Sequence, residues 1–238
     1  MADEPPGARA RRPRGQRRRP GLIRRRDLLS RQVTDPLESL AEGTQEILGR
    51  PLTKRERELF CKYLELLIKW KKSQRLIGSA APHWIVENLF LDSLLFLKVF
   101  PSPPSTLLDL GAGAGLPGIP LKIVLGEVEL VLVESRQKRV SFLSSAVREL
   151  ALENVRVVSG RVEDVMDELE GRFDAVVMRC AGDPGQLLPI AARLLRRGGT
   201  VAASGPPKPR PLPVGDWITV VTRRRGGKAR RFAVYRNS

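Results

Sequence analysis

Leu107-Leu108-Asp109-Leu110-Gly111-Ala112-Gly113-Ala114-Gly115-Leu116-Pro117-Gly118 decides the fold of this 238-residue chain. An apolar run gives way to alternating glycines, then to a proline followed by further apolar residues. That order reads as strand, tight loop and helix start. Glycine suits a backbone that bends through positive φ or must approach a ligand with no Cβ between them. Pro117 is expected in the first helical turn, where a missing N–H is no loss.

After Pro104 the alternation continues. Strands are expected at Ser105–Leu110, Glu129–Glu134, Val155–Ser159, Phe173–Met178 and Thr200–Ala203. Helices are expected at Pro117–Leu125, Arg136–Leu150, Val162–Leu169 and Gln186–Leu195. Such alternation signals a parallel α/β sheet. Trp217–Thr222, a Gly226-Gly227 turn and Arg231–Arg236 then read as a hairpin, so two antiparallel strands close a mainly parallel, seven-stranded, Rossmann-like sheet. An ordinary dinucleotide fold does not predict that ending; the class I S-adenosylmethionine-dependent methyltransferase fold does.

Three regions are expected. Residues 1–36 are an Arg/Pro/Gly-rich extension of low complexity, read as disordered and basic. Residues 37–104 form a small helical region, with a helix at Leu37–Leu48 and a capping-box signature at Thr53 and Glu56. Leu59, Phe60, Tyr63, Leu64, Leu67 and Ile68 then share one helix face, and a second long helix is expected from Trp84 to Lys98. Residues 105–238 form the methyltransferase domain.

The formal charge of +16 is unevenly spread. Residues 1–35 carry 11 Arg against four acids, residues 205–238 carry nine Lys or Arg against Asp216, and the stretch between is nearly neutral. Basic ends of this kind neutralise phosphates and add salt-sensitive, sequence-independent affinity, so they are read as auxiliary RNA anchors. Cys61, Cys180 and His83 are the only residues of their types, which leaves no zinc site or disulfide framework to assemble. The longest apolar stretch, Leu89–Phe100, is too short for a bilayer and is broken by Asp92 and Lys98. No membrane association, no metal and a cytoplasmic setting are expected.

In open α/β sheets ligands sit at the carboxyl ends of the strands. The first strand ends at Asp109 with Gly111, Gly113 and Gly115. A carboxylate there would repel a pyrophosphate but suits a cationic ligand, which favours S-adenosylmethionine over a dinucleotide. Glu134, 23 residues after Gly111, either accepts ribose hydroxyls or caps the helix begun at Ser135. Val162 is expected against the adenine face, with Glu163 or Asp164 receiving the exocyclic amine. Arg179, ending the fourth strand, either positions substrate or phosphate or makes a surface salt bridge. Cys180 reads as a small buried residue rather than a nucleophile. No catalytic residue emerges. The pattern Gly113-x-Gly115-x-x-Gly118 formally fits a dinucleotide fingerprint, but Asp109 and the terminal hairpin oppose it.

The run Asp109-Leu-Gly-Ala-Gly-Ala-Gly-Leu-Pro-Gly-Ile-Pro120, with Glu134-Ser-Arg-Gln-Lys-Arg139, Glu149-Leu-Ala-Leu-Glu-Asn154, Gly160-Arg-Val-Glu163 and Phe90-Leu-Asp-Ser-Leu94, resembles the RsmG (GidB) family over about residues 50–204. The resemblance implies methylation of a guanine N7 in 16S ribosomal RNA from S-adenosylmethionine, on RNA or on the small ribosomal subunit. It also implies cofactor contacts at Gly111, Leu116, Val162, Glu163 and Arg179. The chain departs from the family at Trp70–Ile77, where two asparagines are usual, and at Leu89, where a histidine is usual. Ala203-Ser204-Gly205 stands where a lysine–glycine pair is usual, and the helix that normally follows is replaced by Pro206–Pro213, too rich in proline to be helical. Two alternatives accompany this reading: a catalytically silent protein that binds S-adenosylmethionine and RNA, and an NAD-dependent oxidoreductase.

Overall fold

The computed structural model describes residues 35–71, 76–179, 181–206, 208–222 and 229–238. Nearly all of the expected N-terminal extension, part of the Trp70–Ile77 departure, Cys180 and the Gly226-Gly227 turn lie outside the described residues.

Seven strands form one sheet in the order β3-β2-β1-β4-β5-β7-β6. They are β1 (Thr106–Leu110), β2 (Glu129–Glu134), β3 (Val155–Ser159), β4 (Phe173–Met178), β5 (Leu195–Ser204), β6 (Asp216–Val220) and β7 (Arg230–Arg236). The first five are mutually parallel; β7 runs antiparallel to both β5 and β6. In a dinucleotide-binding sheet the order is 3-2-1-4-5-6. The reversed β7 inserted beside β5 therefore identifies a class I methyltransferase sheet. Strand β5 begins five residues earlier than Thr200, because a register shift between Phe173 and Ala175 lets the exposed Arg196 to Gly198 segment bulge without ending the pairing.

Successive strand residues serve opposite faces. Leu107, Leu132, Val177 and Ala202 join one core; Leu108, Val133, Val176 and Val201 join the other. Helices α1 (Pro36–Leu48) and α2 (Lys54–Lys71) lie N-terminal to the sheet and share the first core with it. Phe60 and Tyr63 pack on Phe90, Trp70 meets Phe142 edge-on, and Phe96 meets Phe232 of β7 at 4.7 Å. The helical region is thus a layer on one face of the sheet.

The helix expected at Trp84–Lys98 is instead four pieces: α3 (Pro82–Ile85), a π turn (Val86–Phe90), α4 (Leu91–Leu94) and a 3-10 turn (Leu95–Lys98). Helices α5 (Gly118–Leu125), α6 (Gln137–Glu149), α7 (Val162–Leu169) and α8 (Pro184–Ala192) complete the order. Pro117 stands one residue outside α5, as its N-cap. No helix among the described residues is long and apolar enough to cross a membrane.

The capping box at Thr53 forms: Thr53 N–H donates to Glu56 Oε2 at 2.7 Å and Glu56 N–H to Thr53 Oγ1 at 3.2 Å. Arg50 adds a forked pair to the same carboxylate at 2.8 and 2.6 Å. Burial pushes the Glu56 carboxyl up, but Arg50 and the Thr53 amide outweigh it and hold it below the usual range. The resulting stabilisation is present above the unfolded carboxylate value, about 4.3, and is lost as pH falls through the lower folded value. Glu56→Gln keeps the cap acceptor and loses the charge. It is expected to cost about 0.5–1.5 kcal/mol at neutral pH, with the difference vanishing in acid; urea unfolding across pH checks this.

Candidate functional site

The strand pairings put the candidate residues in one row. Leu110 lies opposite Val133 and Met178, and Glu134 lies opposite Ser159. Gly111, Glu134, Gly160 and Arg179 therefore leave the sheet at the same edge, around the switch point between β1 and its neighbours β2 and β4.

The glycine loop is closed by backbone bonds. Gly111 and Ala112 N–H both donate to Val133 O, at 2.9 and 3.0 Å. Gly113 and Gly115 have φ of +60° and +81° but differ in surroundings. A Cβ on Gly115 would strike Ile119 at 2.4 Å, with the Tyr63 hydroxyl 3.2 Å away, so this glycine serves packing. A Cβ on Gly113 would meet nothing closer than 3.8 Å, so the space over the loop is open there. Leu116, 8% exposed, joins the first core.

Asp109 is wholly buried. Its Oδ2 accepts the Gly118 amide at 2.7 Å, at the start of α5, while Oδ1 has no hydrogen-bond partner. Burial raises its carboxyl to about 7; the Gly118 N–H and Arg179 charge oppose the rise and Glu134 adds to it. The acid expected to face a cation is instead a wholly buried structural anchor, and its unpartnered Oδ1, once the carboxyl is ionised, is what these residues leave for a cationic cofactor.

Glu134 is also buried, at 4% exposure. Oε2 accepts Gly113 N–H at 2.9 Å and lies 3.4 Å from Arg139 Nη1; Oε1 accepts Arg136 N–H, at the N-cap of α6, at 2.8 Å. The carboxylate thus ties the approach to α6 to the glycine loop. Free lone pairs remain on the carboxylate for a ribose hydroxyl. At the third strand end Val162 opens α7 with 7% exposure. Asp164 caps that helix by accepting Arg161 N–H at 3.2 Å, which leaves exposed Glu163 as the carboxylate available to an amine.

Arg179 is not a surface ion pair. Its guanidinium donates to Asn88 O, to Leu89 O at 3.2 Å and to Ser93 Oγ at 3.4 Å, and stands 3.9 Å from Asp92. Those carbonyls belong to the π turn, a type of helix irregularity that recurs at functional sites. Asp92 in turn holds Arg230 of β7 through bonds of 3.0 and 2.7 Å. Phe90-Leu-Asp92-Ser93-Leu94 thus ties the helical layer to the β4 end and to β7.

Sequence reasoning placed Tyr63 only on an apolar helix face. Its hydroxyl donates to Ala114 O in the glycine loop, 2.5 Å away, and burial pushes the phenol well above its usual range, so it stays a donor. A tyrosine among leucines needs a partner for its hydroxyl, which is the signal that was available. Among the described residues no group of three or more His, Cys, Asp or Glu could hold a metal ion.

Because the folded state holds the Asp109 proton up to about pH 7, stability contributed through this group falls as pH rises from about 4 to 7 and is level above. Asp109→Asn can still accept the Gly118 amide but cannot ionise. Relative to wild type it is expected to gain stability as pH rises through that window, read by denaturant midpoints at several pH values.

Comparison with known proteins agrees with this geometry. The GidB family model, rRNA small subunit methyltransferase G, matches residues 56–205. A ribosomal RNA small subunit methyltransferase G of Lachnoclostridium phytofermentans is 36% identical over 155 residues, covering 64% of each chain. One from Anaeromyxobacter dehalogenans is 39% identical over 168 residues, covering 70% of this chain and 76% of its own. Cofactor-bound Rv0187 from MTB shares the fold alone, with a TM-score of 0.56, 18% identity, and coverage of 85% of this chain and 97% of its own. With well over half its length matched by the family model, the chain belongs to the GidB family of small-subunit rRNA methyltransferases.

Proposed function

We propose that this chain methylates N7 of a guanine in 16S ribosomal RNA, using S-adenosylmethionine, in the cytoplasm. The observation that carries this reading is the open glycine loop anchored on buried Asp109, inside the stretch that matches the family. The cofactor, when bound, supplies an electrophilic methyl group on a cationic sulfur.

The chain's own residues hold and orient. The open face over Gly113, in a loop that Gly111 closes by bonding Val133 O, is the surface against which the nucleoside lies, with Leu116 further along the same loop. Glu134 is offered to the ribose, Val162 to the adenine and Glu163 to its amine. Asp109 Oδ1 and Arg179 complete the charged end. Guanine N7 carries a free lone pair and loses no proton on methylation, so the reaction needs no general base. Catalysis is then largely positioning, which suits a glycine loop fixed by backbone closures and two buried carboxylates. The alternative of an NAD enzyme is disfavoured by the β7 insertion, and that of a catalytically silent protein is separated from this reading by methyl transfer itself.

Labelled methyl transfer to small-subunit RNA or subunits from cells lacking this modification tests the proposal. The expected product, identified by mass spectrometry of nucleosides, is 7-methylguanosine. Cofactor binding with no methyl transfer to either substrate would overturn it. Arg179→Lys cannot serve Asn88 O, Leu89 O and Ser93 together and is expected to raise the KM for S-adenosylmethionine roughly tenfold, read by steady-state kinetics.

A further inference from the structure

The departure of Pro206–Pro213 from the family pattern builds something. A cavity of about 670 Å³ lies between the start of α8 and the segment that joins β5 to β6. Asp183, Gly205, Lys208, Arg210, Leu212 and Trp217 are among its walls. It follows directly on the cofactor loop: the cavity begins at Gly182, and the preceding residue, Ala181, has its Cβ 3.0 Å from where a Cβ on Gly111 would sit. Because β1, β4 and β5 are parallel, the cavity and the glycine loop open at the same edge of the sheet.

The wall is preorganised. Prolines at 206, 209, 211 and 213 restrict φ along the segment, so little chain entropy is left to lose on binding. Trp217 is fixed at two points. Its indole N–H donates to Arg210 O at 2.7 Å, and its ring lies so close to Gly205 that a Cβ there would be 2.2 Å from Cζ3. With the N–H already used, the ring offers a partner only its apolar surface. Exposed Lys208 and Arg210 stand beside it against a single acid, Asp183, whose Oδ1 already accepts Gly185 N–H. An aromatic wall flanked by two cations is the pattern that takes a base by stacking and its phosphates by charge.

We propose that this cavity is the subsite for the single-stranded RNA segment that carries the target base, with Trp217 packing on a nucleobase and Lys208 and Arg210 on the neighbouring phosphates. It rests on the rRNA methyl-transfer reading for the identity of the polymer. Its location beside the cofactor loop and its cationic, aromatic lining come from the structure alone.

The test uses the full chain and two readouts, binding of a short fluorescein-labelled single-stranded RNA and methyl-transfer kinetics on small-subunit RNA. Lys208→Ala/Arg210→Ala is expected to weaken RNA binding about tenfold at low salt and to reduce the log–log salt slope by about 1.4, two phosphates' worth. Trp217→Leu is expected to weaken it roughly five- to a hundredfold, while Trp217→Phe, which keeps an aromatic face, stays near wild type. Affinity for S-adenosylmethionine is expected to be unchanged in all three, which separates a lost RNA contact from a misfolded chain. Unchanged RNA affinity, salt slope and RNA KM in Lys208→Ala/Arg210→Ala would assign the cavity to another occupant and overturn the proposal, even with methyl transfer intact. A wild-type chain that transfers no methyl group, yet loses RNA binding in these variants, would support the subsite and overturn the methyl-transfer reading.

Discussion

A carboxylate taken wholly out of water holds the loop of this protein in shape. Asp109 bonds the first amide of α5, and that single contact sets where the helix begins relative to β1. The approach is so close that a Cβ on Gly118 would lie 2.8 Å from Asp109 Oδ2 and 2.7 Å from Leu132 Cδ2. Burying a carboxylate with one oxygen unpaired is costly, and the cost appears as the raised proton affinity of the group. Such an arrangement persists only where the surrounding core is over-determined, and here buried strands on both sides of β1 supply that. The outcome is a loop whose geometry exists before any ligand arrives.

The N-terminal layer acts on the same loop from outside. Tyr63 reaches from α2 to Ala114, while the π turn and Ser93 seize Arg179 at the end of β4. Asp92 extends the contact to Arg230, so the layer touches β4 and β7 as well as the glycine loop. The family motif around Phe90–Leu94 thus has a physical reason. It fixes the arginine at the mouth of the site through carbonyls that an unbroken α-helix would have spent internally.

Much of this was legible from residue order. The bounds of β2, β3 and β4 follow the sequence pattern residue for residue, because each is preceded by a residue that breaks the element before it: Gly126 before β2, Asn154 before β3, Gly171 before β4. The antiparallel ending and the non-helical proline segment were equally plain. Long-range pairings were not. Nothing local distinguishes Glu134 as a ribose acceptor from Glu134 as the acceptor of Gly113 N–H, since the partner lies 21 residues away. The break of Pro82–Lys98 into four pieces has no proline or glycine to announce it; tertiary demand for the Asn88 and Leu89 carbonyls accompanies it. Residue order singles out Asp109 by its place before the glycines, but its burial and its bond to Gly118 depend on packing that spacing does not encode.

The central claim is that the glycine loop is built for a cationic sulfonium nucleoside. Calorimetric titration of the full chain with S-adenosylmethionine and, separately, with NAD tests this most directly. The account predicts saturable one-to-one binding of S-adenosylmethionine and none of NAD. Saturable NAD binding without S-adenosylmethionine binding would contradict it.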